Sequence, residues 1–276
     1  MRMKRSIAVV GVSALTLVSL VSTRATASST KVSQPPASVG VATALAVPKS
    51  VLNATFINQS GKPETLASQK GRTLFIVPVL TLCSDTCPFT TGNLLQLQAR
   101  LNAAKATNVE IVGIDVDPYR DSVTRVAAYS KLIGANFQLW TEQGVTSRPT
   151  LTKKELASKS PVGTGDINPN LLAIEKFLGW SVQVVPQGTP PATDWMAPHM
   201  KLTYDINHSD GFWVVSPTEQ VRFVSGTKPA FTGTLSKVLS TFMGYKSNIY
   251  NSPTWKGGWT PAEALQAIEW VIQTKI

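Results

Sequence analysis

The chain has two cysteines, and they stand four apart in Thr81-Leu82-Cys83-Ser84-Asp85-Thr86-Cys87-Pro88. At the start of a helix this spacing puts both sulfurs on one face, close enough to form a disulfide or to share a metal ion. A helix N-terminus also offers unpaired N–H groups and the positive end of the helix dipole, which stabilise a thiolate. The plainer use is a stabilising disulfide, natural in an oxidising compartment. Loop-closure entropy argues against it: tying so short a loop is worth only ~2 kcal/mol, against ~4–5 kcal/mol for a loop of about a hundred residues. The pair therefore reads as chemistry.

Three further stretches carry groups that could join it. Asp115-Val116-Asp117-Pro118-Tyr119-Arg120-Asp121 offers carboxylates and a guanidinium. Asp121 is placed to cap a helix, while Asp117 and Arg120 could pair with each other or orient the cysteine loop. Of the two histidines, His208 lies in Ile206-Asn207-His208-Ser209-Asp210. The other, His199, lies in Trp195-Met196-Ala197-Pro198-His199-Met200, whose two thioethers and imidazole could form an auxiliary soft-metal site.

The elements around these residues decide which of them can meet. Ala54 to Asn58 alternates like a strand and is followed by the turn signal Gln59-Ser60-Gly61-Lys62. Leu74 to Leu80 and Val109 to Val116 are apolar runs expected of strands buried on both faces. Helices are expected over Pro88 to Ala104 and over Ser122 to Ile133, the second ended by Gly134. Strand, helix, strand, helix at this spacing implies parallel pairing through right-handed crossovers. Gly211 to Val215 and Val221 to Val224 then form a hairpin, with a last helix over Gly233 to Met243. The expected class is α/β with a thioredoxin-like fold. Two parts exceed its minimum: a polar insertion over Thr146 to Asn170, and a tail from Tyr245. The tail ends in a helix with Thr260 as cap, Pro261 at its first position and Glu263 completing a capping box. Trp255, Trp259 and Trp270 read as docked core aromatics.

In this plan the hairpin strand runs antiparallel to its neighbour, so its start lies at the edge where the parallel strands end. Sites gather at that edge, and it brings His208 near Cys83 and Cys87. Two thiolates and an imidazole make a soft, low-coordinate donor set suited to Cu(I), whereas zinc would need a fourth ligand such as water or Asp85. Disulfide oxidoreductases of this fold normally place two residues between their cysteines, and here there are three.

The N-terminus sets an expected compartment. Arg2, Lys4 and Arg5 precede an uncharged run from Ser6 to Ser22, and Ala25-Thr26-Ala27 offers a signal-peptidase pattern. Residues 1–27 are thus expected to be a signal peptide or an uncleaved anchor, and 28–47, rich in Ser, Ala, Val and Pro, a tether. The formal charge of +10 includes Arg2, Lys4, Arg5 and Arg24, so +6 remains beyond the expected cut. Those charges form no basic stripe with interleaved aromatics, which gives nucleic-acid binding no support.

The sequence resembles the Sco/SenC family of copper-binding, thioredoxin-fold proteins. Cys83-Ser84-Asp85-Thr86-Cys87-Pro88 matches its C-x-x-x-C-P, Val116-Asp117-Pro118-Tyr119-Arg120-Asp121 its V-D-P-x-R-D, and Asn207-His208-Ser209 its Asp-His-Ser. The resemblance covers about residues 48–244, less the insertion. It implies Cys83, Cys87 and His208 as copper ligands, with Cys83 and Cys87 also a redox pair. It implies an extracytoplasmic role in delivering copper to, or reducing the cysteines of, the binuclear copper centre of a respiratory oxidase. The client would then carry a cysteine-rich copper site. Ser84 stands where Pro is common and Asn207 where Asp is common, and loss of that carboxylate would alter the basicity of His208. Two other readings stay open: a thiol–disulfide oxidoreductase, and a redox sensor that presents a surface to a signalling partner.

Overall fold

The two apolar runs become strands β4 (Thr73–Val79) and β5 (Val109–Asp115), paired in parallel from Thr73 opposite Val109 to Val79 opposite Asp115. They lie at the centre of a computed structural model that describes residues 32–145, 150–153, 169–189, 191–231, 233–243 and 258–276. A third parallel strand, β6 (Gln138–Glu142), extends this core beside β5. The early hairpin is present as β2 (Phe56–Asn58) and β3 (Pro63–Glu64), with β2 antiparallel to β6. The late hairpin, β9 (Phe212–Val215) and β10 (Gln220–Ser225), joins the other side through β9 antiparallel to β4. With β1 (Val41–Ala46) on β10, the strand order is β1-β10-β9-β4-β5-β6-β2-β3. This is the expected thioredoxin-like α/β architecture. The expected tether therefore carries a sheet strand; its Ser- and Pro-rich composition hid the alternation of Val41, Thr43 and Leu45.

Both faces of the sheet are covered, which is why β4 is buried at every position. Leu74 and Ile76 face one core, and Phe75, Val77 and Val79 face the other, with the two-residue period of a strand. The second core is built by α2 (Cys87–Ala103), α3 (Val123–Ile133), α5 (Lys237–Met243) and α6 (Pro261–Ile272), through Leu94, Leu97, Tyr129, Phe242 and Ile268 among others. The tail helix α6 has the expected capping box. Trp259 is fully buried against Phe75 and Phe212, and Trp270 meets Phe223 at its ring edge. Trp255 lies outside the described residues.

The first core is covered by α1 (Lys49–Leu52), α4 (Pro169–Leu178) and a separate antiparallel pair, β7 (Val182–Pro186) with β8 (Tyr204–His208). His208 thus ends a strand of its own just before the hairpin. Most of the expected insertion over 146–170 lies outside the described residues, as do 1–31. Among the described residues no helix is long and apolar enough to cross a membrane.

Two local features shape the edge that holds the cysteines. The carbonyl of Val79 accepts from Val116 of the β5 side, so by alternation Pro78 points its missing N–H toward β9. The ladder with β9 has already ended at Ile76, so no hydrogen bond is lost there. Gly211, just before β9, lies so close to β10 that an added Cβ would be 1.7 Å from the Ser225 carbonyl oxygen. Only glycine fits there, and the chain can then turn from β8 into β9 beside the end of β4.

Candidate metal centre

Continuing the antiparallel register past Ile76 opposite Trp213 brings Asp210 level with Val79, at the mouth of the cysteine loop. The sequence-level placement of His208 is therefore realised. One sulfur from each cysteine and a ring nitrogen of His208 lie within 4.8 Å of one another. Both thiols are free and buried, and Cys87 Sγ lies 3.3 Å from His208 Nε2.

The protonation pattern follows from the surroundings. His208 Nδ1 lies 2.7 Å from the Ser209 carbonyl oxygen. A carbonyl only accepts, so Nδ1 carries the hydrogen and Nε2 is the nitrogen turned to the sulfurs. When the ring is neutral, Nε2 presents a lone pair to the site. Cys87 is the first residue of α2, whose leading N–H groups have no partners within the helix. The Cys87 thiol donates to the Cys83 sulfur, and with His208 and the Cys87 backbone N–H it pulls the Cys83 thiol well below its ordinary pKa, against the cost of burial. Burial pushes Cys87 well above the ordinary value, and the adjoining Cys83 sulfur adds to this. For His208, burial disfavours the imidazolium. Hydrogen bonding and charge from Cys83, helped by Asp210, more than offset that and raise its pKa. Cys83 is thus the more acidic of the two thiols, and a soft cation binding both sulfurs would displace their protons.

Asp210 is a functional residue that the sequence reading missed. Thr86, at the cap position of α2, spends its side chain on Asp210 Oδ1 at 2.6 Å instead of on the helix. The contact joins the cysteine loop to the segment after His208. Asp210 also supplies the carboxylate near the imidazole that was expected to be missing at position 207, where Asn207 is exposed. These residues line a cavity of about 350 Å³ with Cys83, Ser84, Asp85 and Lys228. Asp85 is exposed and is not grouped with the two sulfurs and the imidazole.

The segment after β5 grips both halves of this donor set. Asp121 does not cap α3; Ser122 does, accepting from the Arg125 N–H at 3.3 Å. Asp121 is instead buried, and accepts from the Thr81 N–H at 2.7 Å and the Thr81 hydroxyl at 2.5 Å. It therefore holds the residue two before Cys83. Asp117 and Arg120 do pair, at 2.5 Å, but they hold the histidine strand rather than the cysteine loop. Arg120 donates to the Tyr204 carbonyl at 2.7 Å and stacks 3.6 Å from the centre of its ring, and the Tyr204 hydroxyl donates to Asp117 at 2.9 Å. Tyr204 begins β8 and His208 ends it.

The residues of the conceivable auxiliary set are placed differently. Met196 is half-buried against the helical core, while His199 and Met200 are exposed on a tight turn closed by the bridge between Thr193 and Lys201.

With this geometry in view, comparison with known proteins is specific. Residues 49–145 match the family model described as SCO1/SenC. The SCO1 protein homolog of Bacillus subtilis (strain 168) is 31% identical over 86 residues, which is 31% of this chain and 44% of that relative's length. The chain thus matches less than half the length of this curated relative. Among solved structures, copper-bound ScoI of Arabidopsis thaliana is similar with a TM-score of 0.44 and 17% identity, over 77% of this chain and 99% of that one. Copper-bound ScoI of Bradyrhizobium japonicum gives 0.43 and 16%, over 74% and 99%. His208 lies beyond the matched segment, so its place in the site rests on the geometry above. Over residues 49–145, which hold both cysteines and the Asp117–Asp121 frame, the chain carries the SCO1/SenC family pattern.

Proposed function

We propose that this chain is an extracytoplasmic copper-binding protein that delivers copper to, or matures, the binuclear copper site of a respiratory oxidase. Cys83, Cys87 and His208 are its ligands, and copper is cargo rather than a resident cofactor. The observation that carries the reading is the convergence of two thiol sulfurs and one imidazole nitrogen within 4.8 Å. Three soft or borderline donors without a carboxylate suit Cu(I), which tolerates low coordination, better than zinc or a hard cation. Loading requires the dithiol, and a Cys83–Cys87 disulfide is the form that cannot take metal. The client is a protein with a cysteine-rich copper site, and residues 1–27 direct or anchor the chain outside the cytoplasm. In the proposed layout residues 28–47 bring β1 to the sheet edge of a Sco/SenC domain over 48–244, and the extension over 245–276 adds α6 to its second core.

A second reading is favoured by one observation, the depressed pKa of Cys83 beside a raised pKa of Cys87. That asymmetry suits an attacking thiolate and a resolving thiol in a thiol–disulfide oxidoreductase. His208→Ala separates the two. A copper carrier loses Cu(I) affinity by orders of magnitude, whereas an oxidoreductase keeps most of its disulfide turnover. Retained copper affinity with collapsed turnover would reject the first reading.

A further inference from the structure

Asp194 and Trp195 lie in the connection between β7 and β8, outside the segment that matches the SCO1/SenC model. They are nevertheless fastened to the cysteine loop. Trp195 Nε1 donates to the Thr81 carbonyl at 2.6 Å. Asp194, itself buried, takes both terminal nitrogens of Arg125 at 2.6 and 2.9 Å. The Nε of the same guanidinium donates to the Thr81 hydroxyl at 2.6 Å and to Asp121 at 3.1 Å. With Asp121 accepting from its N–H and hydroxyl, every polar group of Thr81 is engaged. The Trp195 ring is held in turn by Phe242 of α5, with ring centres 4.1 Å apart, and by the edge of Tyr129 at 6.1 Å.

The cysteine loop needs such anchorage. Between β4 and α2 it is a series of turns and bends, and Cys83 N–H reaches the Leu80 carbonyl only at 3.3 Å. The connection that grips Thr81 continues directly into β8, which ends at His208. We propose that Asp194 and Trp195 are positioning residues, forming a strap that fixes Cys83 relative to His208. The inference deepens the copper reading by naming what holds its donor set together, but the strap itself is a property of the metal-free loop.

The test is the rate at which iodoacetamide alkylates Cys83 in the reduced, metal-free full chain, with the modified residue assigned by peptide mass. Trp195→Phe removes the donor while keeping an aromatic ring against Phe242 at the cost of some packing, and Asp194→Asn keeps the shape and removes the charge paired with Arg125. Each variant should raise the Cys83 rate roughly threefold to tenfold under native conditions, the change in local opening that follows from losing one hydrogen bond. Urea unfolding is followed in parallel. A side chain that merely packs would move the urea midpoint and leave the native-state alkylation rate alone. Rates equal to wild type in both variants would overturn the proposal. Failure of the wild-type chain to bind Cu(I) would remove the copper reading and leave this test standing.

Discussion

Replacing Arg120 by methionine tests whether the Asp117–Arg120–Tyr204 clamp holds the histidine strand. Methionine keeps an unbranched apolar stem and removes the guanidinium from three contacts: Asp117, the Tyr204 carbonyl and the Tyr204 ring. Asp117 is fully buried, so its carboxylate is left with the Tyr204 hydroxyl and without a counter-ion. Removing one partner of a buried ion pair costs about 3–5 kcal/mol, most of it the penalty of the orphaned charge. In a domain of this size that lowers the melting temperature by roughly 6–20 °C. Arg120→Met combined with Asp117→Asn removes the orphaned charge as well. It should recover all but about 1 kcal/mol, the worth of the lost bond to the Tyr204 carbonyl. Stability and site geometry then separate: the double variant folds well, yet its Cu(I) affinity stays reduced because β8 has lost its anchor. Urea unfolding at pH 7 gives the double-mutant cycle, and competition with a Cu(I) chelator gives the affinity. A single variant costing under about 1 kcal/mol, or a double variant no more stable than the single one, would refute the clamp.

Two further outcomes follow from a buried carboxylate pair away from the site and from the tight start of the late hairpin beside it. Burial, with a contribution from Glu142, pushes Glu175 up to about 8, and burial pushes Glu142 to about 7. Both folded-state values exceed the ordinary carboxylate value, so their stabilising protonated forms are complete below about pH 4.5 and are lost as pH rises toward 8. Glu175→Gln should flatten that decline and gain about 3 kcal/mol near pH 7 in urea titrations, and an unchanged slope from pH 5 to 8 would contradict it. Gly211→Ala places a methyl group 1.7 Å from the Ser225 carbonyl oxygen and must push β9 off β10. It should cost about 3 kcal/mol or more in the same unfolding assay, and a wild-type midpoint would show that the strand start is not as close as described.

What the sequence revealed about this site follows from the range of the signals involved. Buried strands and helix starts are local, so β4, α2, β5 and the capping box at Thr260 could be read from runs and spacing. Reaching His208 took topology: once β9 is antiparallel to β4, the segment before β9 must return to the cysteine edge. Polar contacts between distant residues leave no periodic trace. Thr86 meets Asp210 across 124 positions and Trp195 meets Thr81 across 114, and nothing in either stretch names its partner. Asp121 shows how a local rule misleads. It stands beside a helix start and is a good capping residue by type, but Ser122 fills that position and frees the carboxylate for Thr81. The β7–β8 pair escaped because a Pro-rich connection separates two short strands, one of them only half-buried.

The central claim is that Cys83, Cys87 and His208 form one copper site. Anaerobic titration of the reduced full chain with Cu(I) against a chelating competitor tests it most directly. The account predicts one tightly bound equivalent, lost on Cys83→Ser or Cys87→Ser and strongly weakened by His208→Ala. Absence of a tight first equivalent, or a site of equal strength in the His208→Ala chain, would contradict it.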